Sequence, residues 1–294
     1  MTQSANYQPA SSLRLRGPIL FALFLTFVVT ELNAQTPERD YLGAGELSVI
    51  GGGSLGMALI GLSVKSSNRT KTPNWTRPLP FEGRLVSFFG GDCHLNKTNF
   101  LDNRSGSIAT PLAAFTVLTI ANFNWPQEQP WQDATQDGYI FVSGLAATKG
   151  VTDLAKGIFA RQRPLPCLEP GIAFQRENIN HNYDNQSFFS GHASSAFFSA
   201  VFLNARLRSI MRQRMSGSQY DGWKWAPPTV IFGWATFVGW SRIHAYKHFP
   251  SDVLIGALAG TLMGELFYSF ADNDSSTSSE PNRAPTFIRF SFAF

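Results

Sequence analysis

Lys156 and Arg163 stand seven residues apart, and Pro164 follows directly. Seven residues is nearly two helical turns, so on a helix both cations share one face. Pro164 ends such a helix and pushes Arg163 toward extended backbone. A planar guanidinium fork beside a point-charge ammonium can grip an oxyanion. Taken alone, the pair is the ordinary pattern of a solvated face.

A second group is Ser190-Gly191-His192, followed by an apolar run. Ser190 is a good N-cap residue, and Gly191 lets backbone approach a ligand closely. The free N–H groups and positive dipole end of a helix suit phosphate. His192 in that first turn could protonate a leaving oxygen. Alone, the group reads as a cap with a surface histidine.

A third group runs Ser241-Arg242 through His248 to Asp252. Pro250 suits a first helical position, which puts His248 just before a helix and Asp252 in its first turn. There Asp252 can accept a hydrogen bond from one imidazole nitrogen, fix the tautomer and leave the other nitrogen free to attack. Arg242 adds a third cation. His244 reads as a packed or solvent-facing histidine.

Together the three blocks resemble the signature of the type 2 phosphatidic acid phosphatase superfamily, which includes bacterial acid phosphatases and vanadium haloperoxidases. Its pattern is K-x6-R-P, then P-S-G-H, then S-R-x5-H-x3-D. Here it stands as Lys156 to Arg163-Pro164, Ser190-Gly191-His192, and Ser241-Arg242 to His248 to Asp252, with Phe189 where the family has Pro. The resemblance covers about residues 80–270. It implies an all-α helical bundle and a phosphatase with no cofactor. His248 is then the nucleophile that forms a phosphohistidine, and Asp252 orients it. His192 is the general acid and later activates water. Lys156, Arg163, Ser190, Gly191 and Arg242 bind the phosphoryl oxygens. Phosphoryl transfer is mostly positioning and charge neutralisation, which three cations and a helix N-terminus can supply. No carboxylate cluster in the sequence suggests a bound metal ion.

The elements that must position these groups are apolar segments at about 44–63, 108–123, 138–160, 192–207, 227–240 and 250–270. They have helical length and lack a strand-loop-strand rhythm, so a bundle is the simplest architecture. Residues 80–270 are expected to hold the catalytic bundle and 35–79 an N-terminal extension. The polar stretch 64–107 reads as long loops. Residues 271–286 read as a linker, and the alternating Phe290, Phe292 and Phe294 as a short terminal strand or tail. Arg14 and Arg16, an apolar run Gly17–Val29 and a small residue at Ala34 resemble a secretory signal or an N-terminal anchor over residues 1–34.

Only 250–270 approaches a full membrane span by this reading, and it carries Asp252 and Glu265. Arg206, Arg208, Arg212 and Arg214 fit a positive-inside flank or a complement to a helix C-terminus. Both a membrane-embedded and a soluble envelope bundle are open. The chain is 44% hydrophobic and 15% charged, with 26 Phe, so the core should be aromatic-rich. The net charge of +4 is spread along the chain and gives no footprint for nucleic acid. Cys93 and Cys167 form no CxxC motif and suit either a disulfide or two thiols.

These readings converge on an exported phosphatase with its site on the non-cytoplasmic side. Its substrate is a phosphorylated lipid or a small phosphomonoester, with the exported location and apolar chain tilting toward lipid. Two alternatives use the same residues: a vanadium-dependent haloperoxidase, or a non-catalytic phosphate-binding protein of the envelope.

Overall fold

The computed structural model describes residues 41–68, 73–90, 105–124, 129–164 and 185–271. They form the helices α1 (Ala44–Ser67), α2 (Glu82–Phe89), α3 (Thr110–Asn124), α4 (Pro130–Phe159), α5 (Gly191–Arg214), α6 (Gly217–Trp223), α7 (Ala226–His244) and α8 (Pro250–Ala271). A π-helical turn, Ser105–Ala109, leads into α3. Among the described residues there is no strand, only an isolated parallel bridge between Trp75 and Arg161. The described residues form an all-α bundle, as the sequence implied. The segments 1–34 and 271–294 of the sequence reading and both cysteines lie outside the described residues, Ala271 excepted.

The helix ends follow local chemistry. Ser190 caps α5, its side chain accepting from the Ala193 N–H, and α4, α7 and α8 each have proline in the first turn. Two expectations are corrected. The stretch 64–107 is not all loop: α1 runs on to Ser67 and α2 lies within it. Glu82 and Val86 give α2 its buried side. Nor does Pro164 end α4. The helix stops earlier, where Ala160 takes a left-handed conformation (φ 42°, ψ 46°) and its N–H caps the Lys156 carbonyl. Arg163 therefore lies beyond the helix that carries Lys156, not on its face.

The helices run so that the functional ends gather. Tyr139 Oη donates to the Leu47 carbonyl (2.8 Å) and Lys65 Nζ to Asp153 (2.9 Å), so α1 and α4 are parallel. Thr152 meets Ser194 through their hydroxyls at 2.9 Å while Phe141 meets Phe202, which sets α5 antiparallel to α4. On α8, a Cβ at Gly256 would fall 2.6 Å from the Ser190 carbonyl, and one at Gly260 would fall 2.2 Å from that of Ser194. Only the missing side chains let α5 and α8 pack backbone to backbone. The C-terminal ends of α4 and α7 and the N-terminal ends of α5 and α8 thus share one end of the bundle.

The core between them is a stack of aromatic rings. Phe198 and Phe202 lie against Phe141, with Phe267 and Tyr268 of α8 completing it. At the far end Arg206 is buried, its Nε 2.8 Å from Asp137 and its Nη2 3.2 Å from Asn122 Oδ1. A buried arginine needs such partners to offset desolvation. Arg206 and Arg214 are buried, so the four-arginine cluster is not a uniform exposed flank.

Three helices are long and apolar enough to cross a membrane, by length and composition: Ala44–Ser67, Gly106–Phe123 and Pro250–Ala271. The sequence reading credited only the last. Of the two carboxylates counted against it, Asp252 is fully buried and paired inside the protein, while Glu265 is exposed.

Candidate active site

Three backbone contacts join the motif segments before any side chain is considered. The Ser187 N–H donates to the Arg161 carbonyl at 2.9 Å. The Ser190 N–H donates to the Asp252 carbonyl at 3.0 Å. After α7, the N–H groups of Lys247 and His248 both point at the Arg242 carbonyl, 3.0 and 3.3 Å away. Residues far apart in sequence are thereby fixed within one end of the bundle.

Lys156 leaves the last turn of α4 and stands against the first turn of α5. A methyl group on Gly191 would lie 3.4 Å from Lys156 Nζ and 3.3 Å from Thr152 Cγ2. Glycine here leaves open the space between the ammonium and the helix N-terminus. The N–H groups of that turn and the lysine charge both favour an anion. The N-cap Ser190 is fully buried. His192 is packed from behind by the π turn, since a Cβ on Gly106 would sit 2.6 Å from the His192 Cβ.

His248 occupies the short connection between α7 and α8 and is almost fully buried. Its Nδ1 lies 2.7 Å from the Ser187 carbonyl oxygen. A carbonyl can only accept, so Nδ1 carries the proton and Nε2 carries the lone pair. Burial holds the ring well below the ordinary imidazole pKa, and the positive charges of Arg163, Lys156 and Arg242, with His192, push it the same way. The three cations that the sequence reading placed around the phosphate, and the histidine it made the general acid, thus lie near enough to His248 to bias its ring.

Asp252 differs from its expected geometry. Its Oδ2 is 3.9 Å from His248 Nδ1, too far for a hydrogen bond. The carboxylate instead accepts from Ser187 Oγ (2.5 Å), the Phe249 N–H (2.9 Å) and Arg161 Nη1 (2.5 Å). The Phe249 bond is one half of a capping box at the start of α8. Asp252 is linked to His248 through Ser187 and Phe249 rather than by touching its ring. His244 lies outside the cluster of cations. It stacks on Trp240 with ring centroids 4.8 Å apart, and its Nδ1 is 3.1 Å from the Phe89 carbonyl.

Ser187, Arg161 and Glu82 escaped the sequence reading. Ser187 works through its main chain, which any residue has. Arg161 sits inside the six unspecified positions between Lys156 and Arg163, and Glu82 lies in a stretch read as loop.

Residues 137–275 match the model of the PAP2 superfamily. Human phospholipid phosphatase 2 is 33% identical over 147 residues, which is 43% of this chain and 48% of that protein. Rat phospholipid phosphatase 1 is 29% identical over 144 residues, 43% of this chain and 49% of that protein. The chain thus spans about half the length of the curated relatives it matches. Among solved structures, a transmembrane PAP2-type phosphatidylglycerolphosphate phosphatase from Bacillus subtilis aligns over 90% of this chain and 96% of its own, at 17% identity and a TM-score of 0.39.

Proposed function

With residues 137–275 matching the model of the PAP2 superfamily, we propose that this chain is a metal-independent phosphatase. It hydrolyses the phosphate ester of a membrane lipid through a phosphohistidine on His248. The observation that best supports this is the environment of His248. Its ring is neutral and fixed by a carbonyl at Nδ1, and it lies within the field of three cations and a second imidazole.

The reaction balances on these groups. The Nε2 lone pair attacks phosphorus, the bond to the leaving oxygen breaks, and its electrons remain on that oxygen. His192 delivers a proton there, releasing the alcohol. Water then attacks the phosphohistidine while His192 takes its proton. The P–N bond breaks, its electrons return to His248, and inorganic phosphate leaves. Lys156, Arg163, Arg242 and the N–H groups of the α5 first turn hold the equatorial oxygens, whose charge is where stabilisation counts most.

A lipid substrate suits the outer surface of the bundle. Leu254, Leu258, Leu262 and Leu266 form an exposed stripe along α8, and Leu55, Leu59 and Leu62 are exposed on α1. Trp131, Trp223 and Trp225 are exposed toward one end and Trp240 toward the other. Apolar flanks between tryptophan-bearing ends match a bilayer and its two interfaces. The site then lies at headgroup level. The signal-like segment 1–34 supports a location in the cell envelope, with the site on its outer side.

The test uses the purified full chain in detergent with EDTA present. Dioctanoyl phosphatidic acid and p-nitrophenyl phosphate are offered separately. Phosphate release from the lipid, an acid-labile phosphoenzyme on quenching, and loss of both in His248→Gln are expected. Turnover that needs added divalent metal, or that survives His248→Gln, overturns the reading. A strong preference for the soluble ester overturns its lipid part.

A further inference from the structure

Arg161 is fully buried; both terminal nitrogens of its guanidinium are engaged, and its Nε has no hydrogen-bond partner among the described residues. Nη1 donates to Asp252 Oδ1 (2.5 Å) and Ser251 Oγ (2.8 Å), and Nη2 to Glu82 Oε2 (2.5 Å). Its plane is sandwiched between two rings, 3.9 Å from the centroid of Trp75 and 4.3 Å from that of Phe249. Ser251 donates in turn to Glu82. Burying two carboxylates and a guanidinium is costly unless geometry and hydrogen bonding are nearly complete. Here the rigid fork supplies that geometry, which the single-point ammonium of lysine cannot.

The chain of contacts ends at the reacting ring. Ser187, whose carbonyl holds His248 Nδ1, is fastened at two other points. Its N–H donates to the Arg161 carbonyl, and its Oγ donates to Asp252. Phe249, next to His248, is fastened by its N–H to Asp252 and by its ring to the Arg161 guanidinium. Every restraint on His248 named so far, its own backbone bond to Arg242 excepted, passes through Arg161 or its direct partner. The phosphatase signature leaves Arg161 as an unspecified position.

We infer that Arg161 is a positioning residue for the nucleophile. Gripped by Glu82 of α2 and by Asp252 of α8, it sets the ring of His248 through Ser187 and Phe249. It touches neither the substrate nor the ring. The inference rests on His248 being the nucleophile. It also gives the segment 74–89 a function: Trp75 and Glu82 complete the support of a site built on other elements.

The experiment compares Arg161→Lys, Arg161→Met and Glu82→Gln with wild type, as full chains in detergent on dioctanoyl phosphatidic acid. Kinetics are normalised to sites by phosphoenzyme yield, and melting is followed in parallel. Displacing a reacting group by an ångström costs about 100-fold, so Arg161→Lys should lose about that in kcat with KM within about threefold. The loss should be equal for good and poor leaving groups, because attack and not protonation is impaired. The acid limb of kcat/KM should also move up in pH, as a loosened, hydrated ring regains its ordinary basicity.

A folded Arg161→Lys with wild-type kcat per site and an unmoved acid limb overturns the inference, whatever its melting temperature. Should both Arg161 variants fail to fold, Glu82→Gln decides. About a tenfold fall in kcat with the same direction of pH shift supports the inference, and wild-type behaviour overturns it. Failure of the phosphatase reading is distinct, since wild type would then turn over no phosphate ester. If wild type is active and His248→Gln is dead while the Arg161 and Glu82 variants are normal, only this inference falls.

Discussion

The Nδ1 of His248 is hydrogen-bonded to the main-chain carbonyl of Ser187, at 2.7 Å. That bond, rather than one to a carboxylate, sets the tautomer. A carbonyl cannot be removed by mutation, but its position can be loosened. Ser187→Ala keeps the carbonyl and removes the Oγ bond to Asp252. It should lower kcat by about tenfold and leave KM nearly unchanged. Asp252→Asn, which also weakens the Arg161 contact, should lose about 100-fold or more. Steady-state kinetics of both decide this. A Ser187→Ala enzyme as damaged as Asp252→Asn would mean the hydroxyl matters for another reason.

His192 stands in the first turn of the helix that would bind phosphate, and its role as acid predicts a leaving-group effect. An alkoxide needs a proton to depart and a nitrophenolate hardly does. His192→Ala should therefore lose about a thousandfold on dioctanoyl phosphatidic acid and only about tenfold in the p-nitrophenyl phosphate burst. Turnover of the phosphohistidine still needs a base, so the burst and not the steady state is compared. Equal losses in the two bursts would remove His192 from the acid role.

Burial first, and then Arg163, Lys156, Arg242 and His192, hold His248 well below the ordinary imidazole value of 6.5. In the proposed mechanism the neutral ring is the nucleophile, and protonation takes away its lone pair. As pH falls, attack is therefore lost only when pH passes through the depressed value, and the acid limb due to His248 lies below 6.5. Phosphate esters titrate near pH ~6 themselves, so the direct measurement is NMR of ring-labelled histidine. The His248 signal should titrate below 6.5 in the wild type and at a higher pH in Arg242→Gln, which lacks one repelling charge. A wild-type signal titrating at or above 6.5 contradicts the burial described here.

The all-α class was legible in the sequence, as were the candidate residues Lys156, Arg163, His192, Arg242 and His248 on which the proposal rests. Helix length and cap chemistry are local, and the motif residues act through side chains that only a few residue types can supply. What was not legible acts through shape or main chain. Ala160 turns left-handed without being glycine, which freed Arg163 from the helix face assigned to it. Asp252 sits at the expected place in α8, yet Arg161 and Ser187 claim its oxygens. Glu82 belongs to this network only because an N-terminal segment folds back, a long-range pairing that no local pattern encodes. The span-like character of α1 was hidden by its glycines, two of which, Gly51 and Gly61, its neighbour α4 exploits: a Cβ on Gly61 would fall 2.1 Å from the Gly150 carbonyl.

Close packing of α8 on α5 supplies the last prediction, because it ties stability to chemistry at one point. Gly256 faces the Ser190 carbonyl and Gly260 that of Ser194, one turn deeper. A methyl at either place must push the helices apart, at about 1–3 kcal/mol. The two should differ in kind. Separation at Gly256 acts on Ser190, whose N–H is bonded to the Asp252 carbonyl and whose hydroxyl caps the α5 turn proposed to bind phosphate. Separation at Gly260 acts on Ser194, which meets Thr152 behind the site. Gly256→Ala should therefore lose kcat out of proportion to its fall in melting temperature, and Gly260→Ala should mainly lose melting temperature. Measuring both quantities on both variants tests the coupling. If Gly256→Ala melts and turns over like the wild type, the two helices are not in the contact on which the geometry of the site depends.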